Sequence, residues 1–263
     1  MRKRFLIPLL ISLAIAVGYL VKEVVATSNP HTWTDGLVGY WSFDGQYTTS
    51  TAGTRDVSNT GNWGAFNGGV KPVAGISGQA LSFDGVDDYV SSGDFGDPWS
   101  SFTVEYWLKK TTWNESGSWT VEVPIAKWNT AGGNPGWYVY LYYAMGASNI
   151  WKTSVSIYNG SEYDNNFSTG NHTKDLLVNW MHFVVTRDFD SKTVRIYHNG
   201  LEVKNNVGAT ATAMSNVQAL TLGSRTGGGY FNGLIDEVRV YNRALGADEV
   251  MRHYLQTRRN LGI

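Results

Sequence analysis

Short runs that alternate apolar and polar residues, each cut off by a turn rich in Gly, Asn or Asp, recur from residue 37 to residue 241. Phe102–Lys109 (FTVEYWLK) sets Phe102, Val104, Tyr106 and Leu108 against Thr103, Glu105, Trp107 and Lys109. Gly136–Ala144 (GWYVYLYYA) sets Trp137, Val139, Leu141 and Tyr143 against Tyr138, Tyr140 and Tyr142. A period of two is that of a strand with two unlike faces. Further strands are expected at Gly39–Phe43, Ala80–Phe83, Asp88–Ser91, Trp180–Arg187, Thr193–His198, Leu220–Gly223 and Gly233–Tyr241. Asp84-Gly85 and Asn199-Gly200 are tight-turn dipeptides, and the second joins its flanking runs into a hairpin. Gln46–Gly69, almost without aliphatic residues, reads as a long loop. Only Gly246–Arg258 has helical spacing, with Asp248 near its start and Val250, Tyr254 and Leu255 as an apolar stripe. The expected fold is therefore all-β, a two-sheet antiparallel sandwich ending in a short C-terminal helix.

The N-terminus is of another kind. Arg2, Lys3 and Arg4 precede an apolar run from Phe5 to Val21, which Lys22 and Glu23 close before Val24-Val25-Ala26. This is the pattern of a hydrophobic helix serving as a cleaved signal peptide or as an uncleaved signal-anchor. Both readings place the body of the chain outside the cytoplasm, secreted or held at the membrane by this segment alone. The organisation read from the sequence is residues 1–26 as signal or anchor, 27–36 as a short linker and 37–263 as one sandwich domain.

The chain has no cysteine, which excludes disulfides, thiolate metal sites, cysteine nucleophiles and lipoprotein attachment. Past residue 26 it carries 17 basic and 21 acidic residues, a net charge of −4. Such a surface does not attract nucleic acid and leaves carboxylates free for a cation.

The ordered segments YWSFDG (40–45), RDVSNTGNWGAF (55–66), SGQALSFDGVDDYV (77–90), SFTVEYWLK (101–109), NWMHFVVTRD (179–188), VRIYHNGLEV (194–203) and FNGLIDEVRVYNRAL (231–245) carry a family resemblance. Over roughly residues 37–255 the chain resembles the laminin-G-like jelly-roll domains of the concanavalin A-like lectin/glucanase superfamily. The resemblance implies a jelly roll, a structural Ca²⁺ near the chain ends in many members, and a glycan- or protein-binding role. One segment departs from the pattern: Asn59-Thr60 stands where the family's acidic loop usually has Gly-Asn.

Calcium takes six to eight oxygen ligands. Asp44, Asp56 and Asn62 lie in Gly-rich loops, and Asp236 sits in Leu234-Ile235-Asp236-Glu237-Val238, where alternation puts it on the side of Leu234 and Val238. These four are the metal candidates. The competing reading is that Asp44 and Asp56 cap turns and Asp236 pairs with Arg239 or Arg243. Asp84, Asp87 and Asp88 are read as shaping their own turn.

Aromatic faces flanked by amides and carboxylates suit sugars. Tyr138, Tyr140 and Tyr142 form a comb, Trp107 has Glu105 beside it, and these five are the ligand-binding candidates; Trp113, Trp119, Trp128 and Trp151 are further aromatic candidates in loops. The competing reading is that most of these rings pack the core or shield a sheet face. Trp41, Phe43, Phe102, Trp180 and Phe183 are read as core. The chain lacks a strand with two carboxylates spaced for glycoside hydrolysis; Glu105 and Glu122 would pair only on neighbouring strands. The five His are scattered. The expectation is a non-catalytic module, calcium-stabilised, that binds a glycan or cell-surface ligand. The alternatives are a structural protein that assembles with protein partners and, third, a glycoside hydrolase.

Overall fold

The computed structural model describes residues 33–260 except 50, 59, 95–100, 113–120, 129–134, 144–150, 161–162, 168–177, 209–217 and 227. The expected N-terminal helix, most of the linker, and the candidates Trp113 and Trp119 lie outside the described residues. The chain divides into units 1–35 and 36–263, and the strands and helix of the sandwich all belong to the second. Among the described residues no helix is long and apolar enough to cross a membrane.

The strands in chain order are β1 (Leu37–Trp41), β2 (Gly53–Arg55), β3 (Trp63–Asn67), β4 (Lys71–Ala74), β5 (Gln79–Asp84), β6 (Tyr89–Ser92), β7 (Phe102–Lys110) and β8 (Val121–Lys127). They continue as β9 (Gly136–Tyr143), β10 (Trp151–Tyr158), β11 (Tyr163–Phe167), β12 (Met181–Asp188), β13 (Thr193–His198), β14 (Leu201–Val207), β15 (Thr221–Leu222) and β16 (Asn232–Tyr241), followed by helix α1 (Ala247–Asn260). The first sheet runs β14-β13-β12-β7-β16-β5-β4, with β1 also on β16; the second runs β11-β10-β9-β8-β15-β6-β3-β2. The fold is thus an all-β antiparallel sandwich with one C-terminal helix.

The alternation read from the sequence decides which side chains meet between the layers. Phe102, Val104, Tyr106 and Leu108 of β7 share the core with Trp137, Val139 and Leu141 of β9 and with Ile235, Val238 and Val240 of β16. Phe102 stacks on Trp137 with ring centroids 5.1 Å apart. Helix α1 covers the outer face of the first sheet, where Val250 packs with Val184, Tyr197, Tyr241 and Leu245. A third cluster, built on Val123, Ala126 and Trp128, lies on the outer face of the second sheet.

Four expectations change, the first being Trp151, which is no loop residue but opens β10 and is buried in the core. The stretch 46–69 is not one loop, because β2 and β3 form there, with β3 pairing β6. Their residues are too small and polar to show a hydrophobic period, yet the backbone still pairs at a sheet end. Trp180 is not core: β12 begins at Met181, which points inward, so Trp180 faces out and is half-buried. Val238 does not share a side with Asp236, since a bulge against β7 between Asp236 and Arg239 places Glu237 at φ 53° and turns Val238 inward.

Candidate functional site

On β9 the residues between the core positions point away from the sandwich. Tyr138 and Tyr140 have ring centroids 5.2 Å apart, and Tyr140 and Tyr142 lie 5.9 Å apart. Trp128, just past β8, meets Tyr138 edge-on at 5.1 Å. It also approaches Tyr158 at 5.9 Å and Tyr163 at 6.0 Å. Tyr158 and Tyr163 face each other across the β10–β11 pair and stack at 4.4 Å. The Arg225 guanidinium sits 5.0 Å over the Tyr138 ring. The comb expected from the sequence is therefore part of a wider aromatic face with Tyr163, 55% exposed, at its outer end. Burial pushes the Tyr140 hydroxyl up to about 12, so it stays a neutral hydrogen-bonding group. Tyr158, Tyr163 and Arg225 escape sequence reading because strand pairing and a loop from far along the chain bring them there.

Glu105 and Trp107 have a different setting. Both lie on the outer face of the first sheet, but α1 covers them: Glu105 is fully buried and Trp107 is 2% exposed. Trp107 stacks on Tyr254 of the helix at 5.8 Å and lies 5.1 Å from the His182 ring. His182 Nε2 is 2.9 Å from Glu105 Oε1, and His253 Nδ1 is 2.8 Å from Oε2. A carboxylate only accepts, so both ring nitrogens donate. Burial would raise the Glu105 pKa, yet the charge of His253 and the hydrogen bonds from both histidines hold it well below the usual carboxylate range. Arg239 extends the network toward Glu105 (3.7 Å), binds Glu237 and lies 4.3 Å over the Tyr40 ring. The Tyr40 hydroxyl donates to Glu237 (2.9 Å).

The four metal candidates fall into two groups that share no hydrogen-bond partner among the described residues. Asp56 and Asn62 share one loop. Asp56 Oδ1 accepts from the N–H groups of Tyr40 (2.9 Å) and Ser58 (2.8 Å), and Oδ2 accepts from the Thr60 hydroxyl (2.5 Å) and the Asn62 side-chain amide (3.1 Å). The Thr60 hydroxyl also lies 2.8 Å from the Val38 carbonyl oxygen, so it fills the space between these oxygens. Asp44 and Asp236 instead hold the turn between β4 and β5. Asp236 accepts from Ile76 (2.9 Å), Ser77 (3.1 Å) and Glu237 (2.7 Å), and Asp44 accepts from Gln79 (3.1 Å). Gly78 adopts φ +57° there, and any Cβ would collide with the Asp44 carboxylate. Burial first, then the charge of Glu237, push the Asp236 carboxyl well above its usual range. Neither arginine weighed as its partner pairs with it, since Arg239 holds Glu237 and Arg243 holds Glu249. The described donors thus occupy the lone pairs of Asp56, where an ion would have to displace them, and three of the four acceptor positions of Asp236. Asp84, Asp87 and Asp88 also converge. There Asp88 accepts from the N–H of Asp84 and Asp84 from that of Val86 within the turn, and Asp88 also accepts from the N–H of Gly69, which ties the turn to the segment after β3.

A family model described as the concanavalin A-like lectin/glucanases superfamily matches residues 83–251. The chain belongs to this superfamily. No curated protein matches its sequence. Solved structures share the fold. The binding domain of Paraclostridial Mosquitocidal Protein 1 matches with a TM-score of 0.65 and 16% identity, over 85% of this chain and 52% of that one. Domain 4 of AbnA, a GH43 extracellular arabinanase from Geobacillus stearothermophilus solved with arabinotriose, matches with a TM-score of 0.61 and 19% identity, over 82% and 97%. The binding domain of botulinum neurotoxin serotype G matches with a TM-score of 0.62 and 15% identity, over 83% and 50%. The chain spans about half the length of the toxin binding domains and nearly all of the arabinanase domain. At these identities the likeness is one of fold.

Within this superfamily the positions of Glu105 and Glu122 decide whether a hydrolytic pair exists on them. Their strands belong to different sheets. Glu122 is bound to Lys110, whose ammonium also donates to the Asn232 carbonyl (2.6 Å), and Glu105 is held by two histidines under the helix. Both carboxylates are buried and engaged elsewhere.

Proposed function

We propose that the chain is a non-catalytic carbohydrate-binding module that takes its ligand on the aromatic face of the second sheet. The observation behind this is the row of rings Tyr142, Tyr140, Tyr138 and Tyr163, backed by the buried ring of Trp128 and bordered by Arg225. Ring faces take up the C–H faces of sugars, while phenol and guanidinium groups meet hydroxyls at the edges. A row, rather than a pit, suits successive units of a chain. The arabinanase domain solved with arabinotriose lends the ligand class, and the leader-like N-terminus lends an extracytoplasmic setting. Affinity electrophoresis of the full chain against arabinan, xylan and β-glucan tests the reading. The expected result is retardation by at least one polymer, weakened about tenfold, or ~1.4 kcal/mol, by Tyr138→Ala or Tyr163→Ala. Absence of retardation, retardation that both variants keep, or release of oligosaccharides would overturn it.

A structural calcium ion at Asp56 and Asn62 is a separate proposal, in which the ion takes the place of the Thr60 hydroxyl. A calcium-dependent rise in the thermal midpoint that Asp56→Asn abolishes would support it; a midpoint that calcium does not move would remove it. Assembly with protein partners has one observation in its favour, the edge strand β14 with Leu201 62% and Val207 73% exposed. Sedimentation velocity would reveal self-association through that edge.

A further inference from the structure

A concavity lies on the side of the first sheet, where the start of β12 meets α1. Its volume is about 300 Å³, and Trp107, Trp180 and Tyr254 line it together with Asn179, Asn199 and Arg258. Ile76, whose N–H the Asp236 carboxylate holds in place, completes the lining. Trp180 and Tyr254 are half-buried, so each offers part of a ring to the space.

We infer that this concavity binds one carboxylated sugar unit of the uronic acid class. Size sets the first limit: about 300 Å³ is the lower end for ligand pockets, enough for one sugar ring. The sign of the polar groups sets the second. Asn199 accepts from the His182 N–H with its side-chain oxygen (3.0 Å), which turns its NH₂ to donor duty. Arg258 donates to the Tyr254 hydroxyl (3.2 Å) and lies 5.7 Å over that ring. Among the described residues it has no carboxylate partner, unlike Arg239, Arg243 and Arg252. Two donor groups with capacity to spare, one of them a half-buried guanidinium, call for a ligand rich in acceptors and negatively charged. The indole and phenol walls add the face that a pyranose C–H surface covers. The inference rests on the carbohydrate reading for its ligand class, not for its location.

Isothermal titration of the full chain with glucuronate and galacturonate, against glucose, galactose and benzoate, tests it. Both uronates are expected to bind at least tenfold more tightly than the neutral sugars and benzoate. Arg258→Gln should lose that preference and Arg258→Lys keep part of it, while Tyr138→Ala leaves it unchanged. Arg258 sits in the last turns of the helix, and a thermal melt of each variant checks that the fold is retained. Uronates that bind no better than the neutral sugars, benzoate that binds equally well, or a preference that survives Arg258→Gln would overturn the assignment. A loss of polymer binding in Tyr138→Ala with the uronate preference intact would separate this site from the aromatic face.

Discussion

Glu105 shows how one side chain can tie a helix to a sheet. It is fully buried on β7 and is held by His182 of β12 and His253 of α1. Removing one member of such a group leaves the others buried and unpaired, which costs about 3–5 kcal/mol. Glu105→Gln is accordingly expected to lower the unfolding free energy read from urea melts at pH 7 by that amount. The pH dependence follows from the direction of its shift. A carboxylate held below its unfolded value of about 4.3 contributes stability above that value and loses it as pH falls through the folded value. The native chain should therefore lose more stability than Glu105→Gln on going from about pH 5 to about pH 2; parallel curves would contradict the assignment. Asp236 has the opposite sign, because its raised carboxyl gives stability that is present at low pH and is lost as pH rises through the folded value. Asp236→Ala leaves the N–H groups of Ile76, Ser77 and Glu237 without their acceptor. Its expected cost is at least ~2 kcal/mol, with faster amide exchange at Ile76 and Ser77.

At the scale of elements, the hairpin turn at Asn199-Gly200 meets the helix directly. Gly200 adopts φ +80°, and a Cβ there would lie 2.9 Å from Met251 Sδ and 3.2 Å from Tyr254 Cβ. Gly200→Ala should cost about 1–2 kcal/mol from the left-handed backbone alone, and a thermal melt would register it. The hairpin and strands β7, β9, β13 and β16 are legible in the sequence because an Asn-Gly pair and a period of two are local signals. The tyrosine comb is legible for the same reason, since Tyr138, Tyr140 and Tyr142 are spaced by two. A strand's alternation separates its faces but does not say what covers them. Glu105 and Trp107 look as available as the comb, and only the return of α1 over the first sheet removes them from solvent. Trp180 shows the converse, because it lies an odd number of residues from inward-facing Phe183 and alternation puts the two on opposite sides. The bulge at Glu237 is likewise invisible, as nothing in LIDEV announces a non-glycine residue at positive φ.

At the scale of the whole fold, the two outer faces differ in what covers them. One is closed by α1 over a polar network, with a small concavity at the helix margin; the other carries aromatic rings and Arg225. Glu105 and Glu122 are buried and bound elsewhere, and the work proposed for that second face is glycan recognition. Hydrogen–deuterium exchange of the full chain, with and without the polysaccharide that retards it most, tests this directly. Protection is expected to concentrate in residues 121–128, 136–143 and 151–167, with an intact polymer recovered afterwards. Protection elsewhere with those strands unchanged, or a shortened polymer, would contradict it.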